Sequence, residues 1–468
     1  MPVAAPNSSF VSLQHKFRNS NRNERYLISY IFSRIPVNFH SIFLKREDAR
    51  SSKAPKRKPK PDEEEIESDD AVDSGGEHFP EVSDGEEETA QDKRLRLAKK
   101  YLEEIEKEEK SRAEDRELHD HVSNRLKDEY LESVGKLRKS VAAEYKTYKK
   151  STVQVLRHKH HKLPVTIVLV SNDGSIMFSG SKTPFVVKWD LGTMKKGTKR
   201  RSNILAMAMT TNMKFLAIAE GGNNIQIWCP STLKHLKTLR GHRDVVSCLV
   251  FRKDTHQLYS GSRDRSVKIW SLDEMAYVES LFGHQAAITG IDALSRERAI
   301  TSGGSDCSVR IWKITEESQL IYNGHRGTIE NVKLINDENF ISSGDDGSLC
   351  LWSSMKKKPL CILPEVHGKQ PNGDANWITA IATLVNTDLI ASGSNDGFIR
   401  LWQMSDNGRK LLPLFEIPVE GFVNSLAFNN SGTHLFVAVG QEHRLGRWWR
   451  IKEAKNSILV IELEKIKS

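Results

Sequence analysis

The side chains of this sequence that could do chemistry are histidine, serine and aspartate, and they recur together. His242, Ser260 and Asp264 are followed by His284, Ser302 and Asp306, and then by His325, Ser342 and Asp346. A serine, a histidine and an acid are the parts of a nucleophilic triad, and repeated His and Asp can also ligate a metal. Three copies in register, each followed by a tryptophan (Trp270, Trp312, Trp352), instead mark a repeated structural unit. The sequence carries no G-x-x-x-x-G-K-[ST] phosphate loop, no G-x-S-x-G elbow and no H-E-x-x-H. HKHH (His158–His161) has donors for a metal but reads as a solvated basic linker. The pairs Asp173–Gly174, Asp346–Gly347 and Asp396–Gly397 read as hairpin turns, not calcium loops. No catalytic residue, metal ligand, cofactor or small-molecule substrate is expected. The expected class is a rigid binding platform, not an enzyme.

The elements that carry these residues are repeats. A tryptophan closes a β-rich segment at Trp189, Trp228, Trp270, Trp312, Trp352, Trp402 and Trp448, at intervals of 39, 42, 42, 40, 50 and 46 residues. Periods near forty with four short strands each predict an all-β, seven-bladed propeller. The clearest unit, GHRDVVSCLVFRKDTHQLYSGSRDRSVKIW, ends on Trp270 and is repeated up to Trp312 and Trp352. These units resemble the WD repeat. The resemblance implies that His, Ser, Asp and the Trp indole of one unit form a buried hydrogen-bond chain. Removing one member of such a set costs roughly 1–3 kcal/mol. The sixth unit matches with Ser392, Asp396 and Trp402 and a displaced His367.

Units 1, 2 and 7 are degenerate: Thr183 and Gly222 stand where Asp is expected, and no Gly-His opens them. Unit 6 carries an insertion, HGKQPNGDANW (His367–Trp377), on the side where the Gly-His loops emerge. NSILVIEL (Asn456–Leu463) alternates well enough to be the outer strand of blade 7, while TVQVLRH (Thr152–His158) is the other candidate to fasten the ring. Closure leaves no open sheet edge.

The chain has 468 residues, too many for one ordinary domain, and 28% of them are charged. The charge is segregated. Residues 1–61 hold 13 Lys and Arg against 3 acids, and residues 62–92 hold 15 acids and no Lys or Arg. Like-charged blocks stay solvated, so residues 1–88 are expected to be a disordered extension with a basic tract at 53–61 and an acidic one at 62–88. Lys56, Arg57, Lys58 and Lys60 make the basic tract a candidate nuclear-import signal, and serines in the acidic tract are candidate phosphate acceptors. Residues 1–45 also have the composition of a mitochondrial presequence, which sits poorly with the tracts that follow. Residues 89–150 are expected to be helical. Thr89 and Asp92 cap the start, and Leu95, Leu97, Leu102, Ile105, Val122, Leu126, Tyr130, Val134, Leu137 and Val141 recur at three-to-four spacing. The propeller is expected over 151–468. Five scattered cysteines fit a reducing compartment, and no apolar run reaches the length of a membrane span.

Charge also suggests what the platform binds. Lys182, Arg243, Arg263 and Arg326 fall on loops of the Gly-His side, and the last unit adds His443, Arg444, Arg447, Arg450 and Lys452 around Trp448 and Trp449. Arginine with nearby aromatics suits phosphate contact and base stacking, so these residues are the candidate RNA-binding set.

Four stretches go beyond the WD pattern: AQDKRLRLAKKYLEEIE, RDVVSCLVFRKDTHQLYSGSRDRSVKIW, YVESLFGHQAAITGIDALSRE and VGQEHRLGRWWRIKEAKNS. With them, residues 50–468 resemble the U3 small nucleolar RNA-interacting proteins. That resemblance implies a non-catalytic nucleolar role, binding the box B/C region of U3 RNA beside the kink-turn-binding protein of box C/D particles. Other U3 particle and processome proteins are the further partners it implies, and the work is processing toward 18S rRNA. Two rivals compete with it. One is a nuclear scaffold reading a histone or other peptide. The other is a ubiquitin-ligase receptor, which would want a W-D-x-R string where Trp189–Asp190 is followed by Leu191 and Gly192.

Overall fold

The computed structural model describes residues 118–133 and 135–465, except 192–195, 200–202 and 406, together with scattered helical positions between 96 and 107. The basic and acidic tracts, the import candidates Lys56, Arg57, Lys58 and Lys60, and the helix start at Thr89 and Asp92 lie outside the described residues.

Seven antiparallel sheets follow one another in chain order. Blade 3 shows the pattern, with strands Val246–Phe251, Gln257–Ser262, Ser266–Ser271 and Ala276–Phe282 paired in sequence from the inside outward. Apolar cores lie between neighbouring blades. Ile341 and Leu351 of blade 5 pack with Ile390 and Trp402 of blade 6, all buried. Hydroxyls near the centre of the ring also stitch several blades to the next. Thr166 Oγ1 donates to the Ile204 carbonyl at 2.6 Å, Thr289 Oγ1 to Ile329 at 2.7 Å, Ser343 Oγ to Ile378 at 3.1 Å and Thr379 Oγ1 to Val423 at 2.5 Å.

The histidine sets of blades 3 and 5 have the expected members. Trp270 Nε1 donates to Ser260 Oγ at 2.8 Å, Ser260 Oγ meets His242 Nε2 at 2.8 Å, and His242 Nδ1 meets Asp264 Oδ2 at 2.9 Å. The indole can only donate and the carboxylate only accepts. Ser260 therefore donates to a neutral imidazole that carries its proton on Nδ1. In blade 5, Ser342 Oγ lies 2.8 Å from Trp352 Nε1 and 2.7 Å from His325 Nε2, and Asp346 lies 3.5 Å from His325. The Ser260 and Ser342 hydroxyls are buried with their bonds spent, so neither is a nucleophile.

Blade 4 corrects one member. His284 Nε2 and Trp312 Nε1 both meet Thr301 Oγ1 at 2.8 Å, not Ser302, whose hydroxyl faces Thr289 Oγ1 at 3.0 Å. The turn GGSD (Gly303–Asp306) holds one residue more than its counterpart in blade 3, so the strand is set back by one. A one-residue slip moves every side chain to the opposite face. Thr301→Val, which keeps the shape and removes both bonds, is expected to cost roughly 1–3 kcal/mol. Ser302→Ala is expected to cost about 1 kcal/mol or less, because Thr289 keeps its other partner. Thermal unfolding of the two variants measures the order, and the reverse order would return Ser302 to the set.

Blade 6 is complete. His367 lies 2.9 Å from Ser392 Oγ and 3.0 Å from Asp396, and Trp402 Nε1 donates to Ser392 at 2.9 Å. The histidine is thus in place, and the insertion lengthens only the loop that follows it. Blade 1 supplies a set the sequence concealed. His161 Nε2 meets Ser179 Oγ at 3.3 Å, Trp189 Nε1 donates to the same hydroxyl at 2.7 Å, and Thr183 bonds Ser181 and the His160 carbonyl. HKHH is therefore no solvated linker, since its last histidine is buried in the first blade.

The residue after each set aspartate has positive φ: Arg265 at 68°, Cys307 at 53°, Gly347 at 67° and Gly397 at 90°. Glycine relieves that turn in blades 5 and 6, whereas blades 3 and 4 hold a side chain in the left-handed region.

Closure uses both candidate segments and adds a third. The tail strand Ser457–Lys465 is third in blade 7, not outermost, and both Tyr145–Tyr148 and Gln154–Leu156 pair along its free side. The ring therefore draws on residues before 151, inside the span expected to be helical. The helix Leu118–Ser133 ends before Leu137 and Val141, which were expected to continue it, while Val134 lies outside the described residues. Residues 135–144 run instead as a strap across the blade ends opposite the Gly-His loops. Asp388 fixes it, accepting from the Val141 and Ala142 amides at 2.7 and 2.8 Å and from Ser140 Oγ at 3.2 Å. Asn336 Nδ2 donates to the Leu137 carbonyl at 3.2 Å.

Candidate nucleic-acid interface

The contacts of His242, His284, His325 and His367 with the aspartates of the following turns show that Gly-His loops and these turns share one end of the ring. The insertion after His367 and the segment 441–456 belong to that end as well. The latter joins the second and third strands of blade 7 and carries Trp448, so that tryptophan closes no strand and is 55% exposed. The two long loops meet. The Trp377 ring lies 4.7 Å from Trp449, 5.5 Å from Trp448 and 6.1 Å from His443, each nearly edge to face. Trp377 was missing from the candidates read in the sequence. Its place in an insertion shared by no other unit was the available signal.

The candidate cations separate into two groups. Arg243, Arg263, Arg326, Arg450 and Lys452 are exposed, and the Arg447 side chain is 70% exposed although its Nε pairs with Glu442 at 2.8 Å. Arg243 and Arg326 also donate their backbone amides to Asp264 and Asp346, which holds each loop while leaving its guanidinium outward. Lys182, His443 and Arg444 turn inward and are corrected as surface contacts. Lys182 Nζ is spent on Glu442 Oε1 at 3.2 Å and the Gly446 carbonyl at 3.3 Å. His443 is fully buried, and its Nδ1 accepts from the Leu445 amide at 3.3 Å. Arg444 crosses the central channel, where its Nη2 lies 3.4 Å from the Thr289 carbonyl and 3.2 Å from that of Glu330.

The loop has its own electrostatic frame. Glu442 is buried, yet its carboxylate is offset by Lys182 from blade 1 and Arg447 from the loop. Asn424 Nδ2 donates to the Val165 carbonyl at 3.0 Å and the Glu442 carbonyl at 3.1 Å, tying blade 7, blade 1 and the loop base together. Gly440 permits this, since a Cβ there would lie 2.6 Å from Pro164 and 2.8 Å from Asn424 Nδ2. Among the described residues no group of His, Cys, Asp and Glu forms a metal site.

Burial pushes His443 down to about 3, with the Arg444 and Lys182 charges adding to it. Burial likewise pushes His161 down to about 4, with His158 and His160 adding. Both stay neutral in the fold, while the unfolded chain protonates them below about 6.5. The unfolded state therefore binds more protons as pH falls from about 6.5 to about 4, and stability falls over that window. Asp264 and Asp306 act lower. Burial pushes both up, but hydrogen bonds from Ser266 and backbone amides for Asp264, and from His284 and Ser308 for Asp306, hold each down to about 2. Their contribution is complete above about 4 and is lost from there toward about 2. Thermal unfolding against pH is expected to show the first loss already between about 6.5 and 4, and His443→Gln to flatten it. A flat profile there would contradict neutral burial of the two histidines.

The WD domain, G-beta repeat family matches residues 233–271, 276–313, 316–353 and 367–403, which bear the complete sets of blades 3 to 6. The human U3 small nucleolar RNA-interacting protein 2 is 50% identical over 398 residues, covering 81% of this chain and 83% of its own. The Arabidopsis thaliana U3 snoRNP-associated protein-like EMB2271 is 33% identical, covering 85% of this chain and 91% of its own. A crystal structure of RRP9 WD40 repeats superposes with a TM-score of 0.67 at 46% identity, covering 69% of this chain and 100% of that one.

Proposed function

We propose, from the premise that this chain belongs to the U3 small nucleolar RNA-interacting protein family, that it binds U3 RNA through the Gly-His end of its propeller. Members of that family serve the U3 ribonucleoprotein in ribosome biogenesis, and this chain does so as a non-catalytic component. The reading places the contact at the box B/C region of U3, beside the kink-turn-binding protein of the particle, in the nucleolus. It assigns processing toward 18S rRNA as the outcome.

One observation carries the reading. The loop 441–456 presents Arg447, Trp448, Arg450 and Lys452 to solvent over a floor of Trp377 and Trp449, on the end that also exposes Arg243, Arg263 and Arg326. An exposed indole flanked by guanidinium groups is what an unpaired base and its phosphates need. A histone-reading platform would want an acidic or neutral face, so the charge favours RNA. Phosphate contacts orient without specifying sequence, and much of the choice for U3 then falls to the assembled protein–RNA surface.

Crosslinking and immunoprecipitation of the tagged chain from cells, with sequencing of the attached RNA, tests the proposal. Enrichment of U3 at its box B/C segment, with crosslinks within 441–456, supports it. A histone or ligase subunit recovered without RNA would return the chain to the class of peptide-binding propellers.

A further inference from the structure

The channel of a propeller is commonly lined by its innermost strands alone, but here a side chain from a surface loop enters it. Arg444 leaves the blade 7 loop and reaches the opposite wall. Its Nη2 donates to the main-chain carbonyls of Thr289 in blade 4 and Glu330 in blade 5. The Glu330 carboxylate faces the same guanidinium at 3.8 Å and is buried, as is His443 beside it, whose Nε2 lies 3.8 Å from Glu330 Oε2. Burial pushes the Glu330 carboxyl up, and the Arg444 charge opposes that shift. Glu330 Oε2, His443 Nε2 and Arg444 Nε carry no hydrogen bond, so the pocket is held by few bonds, and the two carbonyl contacts are the directional ones.

Beyond this point the loop turns outward. Leu445 donates its amide to His443, the Gly446 carbonyl takes Lys182 Nζ, and the exposed residues Arg447, Trp448 and Arg450 follow. The rest of the loop rests on its own blade through Gln441, on blade 1 through Glu442 and Asn456, and on the neighbouring blade 6 insertion through Trp377. Arg444 is thus the member of the loop that ties it to the far side of the ring.

We propose that Arg444 is a positioning residue for RNA binding: a peg set in the channel of blades 4 and 5 that holds the 441–456 loop so that Arg447, Trp448 and Arg450 stand together at the surface. The inference rests on the RNA-binding reading of this loop. It separates two arginines that look equivalent in the sequence. Arg447 acts on the ligand, and Arg444 acts on the loop.

The test uses the full chain with Arg444→Met, Arg444→Lys and Arg447→Ala, and it has two readouts. In the free chain, hydrogen exchange of the amides of 441–456 is expected to rise about tenfold or more in Arg444→Met, with the blade strands unchanged. Arg444→Lys keeps the charge but reaches only one carbonyl, so an intermediate rise is expected, and it decides the matter alone should the methionine variant fail to fold. Arg447→Ala, in which the buried Glu442 carboxylate keeps its partner Lys182, is expected to leave the exchange near that of the unsubstituted chain. In recovery of U3 RNA with the tagged chain over a salt series, Arg444→Met is expected to lower recovery about five- to tenfold without changing the slope against log salt. Arg447→Ala lowers that slope by roughly 0.7–0.9, the share of one phosphate contact. Exchange that is unchanged in both Arg444 variants overturns the peg. Exchange that rises while recovery is unaffected by all three substitutions leaves the peg standing and removes the loop from the RNA interface.

Discussion

Replacing Trp448 and Arg450 by alanine together, with Lys452→Ala added, is expected to lower U3 association of the full chain on the order of a hundredfold near physiological salt. The indole, 55% exposed, would lose a stacked base, worth about 1–3 kcal/mol. Each cation removed takes away a phosphate contact and with it roughly 0.7–0.9 of the salt slope. The three residues are chosen because the fold does not depend on them. Lys452 has an exposed side chain, Arg450 bonds only the Gln441 amide oxygen at 3.1 Å, and Trp448 stands outward from Trp377. Arg447 is left in place because its own substitution is the comparison drawn against Arg444. The measurement is RNA recovery at several salt concentrations, with the melting temperature as a check on folding. Lost affinity with an unaltered slope would assign the effect to the tryptophan alone, and unaltered affinity would remove the loop from the interface.

The largest effect on stability is expected from the ring closure. A chain that starts after residue 157 lacks both strands that cover Ser457–Lys465 and loses the buried Tyr145, Tyr148 and Leu156. Burying one such side chain is worth about 1.5–3 kcal/mol, so the loss is on the order of 5 kcal/mol or more, a large part of a typical domain's stability. The uncovered strand SILVIELEK also becomes an edge with an apolar alternation, which pairs readily with other chains. Soluble yield and melting temperature, compared with a chain beginning at Glu132 that keeps the strap and both strands, measure it. Equal melting of the two chains would show that the ring closes without this cover.

How much of this was legible follows from the physics of each signal. Blades 3 to 6 announced themselves because a buried polar set demands particular residue types at particular places, and sequence records types and places. Even there Ser302 stood in for Thr301, because one extra turn residue is invisible until the pairing register is known. His161 was hidden among two other histidines, since HKHH does not say which ring turns fully inward. The Tyr145–Tyr148 strand read as helix for a definite reason. A β-bulge between Tyr145 and Thr147 breaks the alternation, so the inward residues Tyr145 and Tyr148 stand three apart, a spacing that a helix face shares. The candidate interface was half legible. Composition marked the 441–456 loop as basic and aromatic, but an irregular loop has no period. Nothing local distinguished the inward Arg444 and His443 from the outward Arg447 and Arg450. Trp448, taken as a strand-closing residue by its interval, proved to be the exposed one.

The closing of blade 7 by residues 145–156 also sets a timetable for synthesis. These strands leave the ribosome before any blade is made, and their partner, Ser457–Lys465, follows about three hundred residues later. At ribosomal rates of roughly 5–20 residues per second that is a wait of at least about fifteen seconds. During it, six blades can pack in turn and the strap can dock on blades 5 and 6, while the early strands lack their partner. Full closure therefore waits for the last strand of the ring, and the nascent chain is most in need of shelter just before that strand arrives.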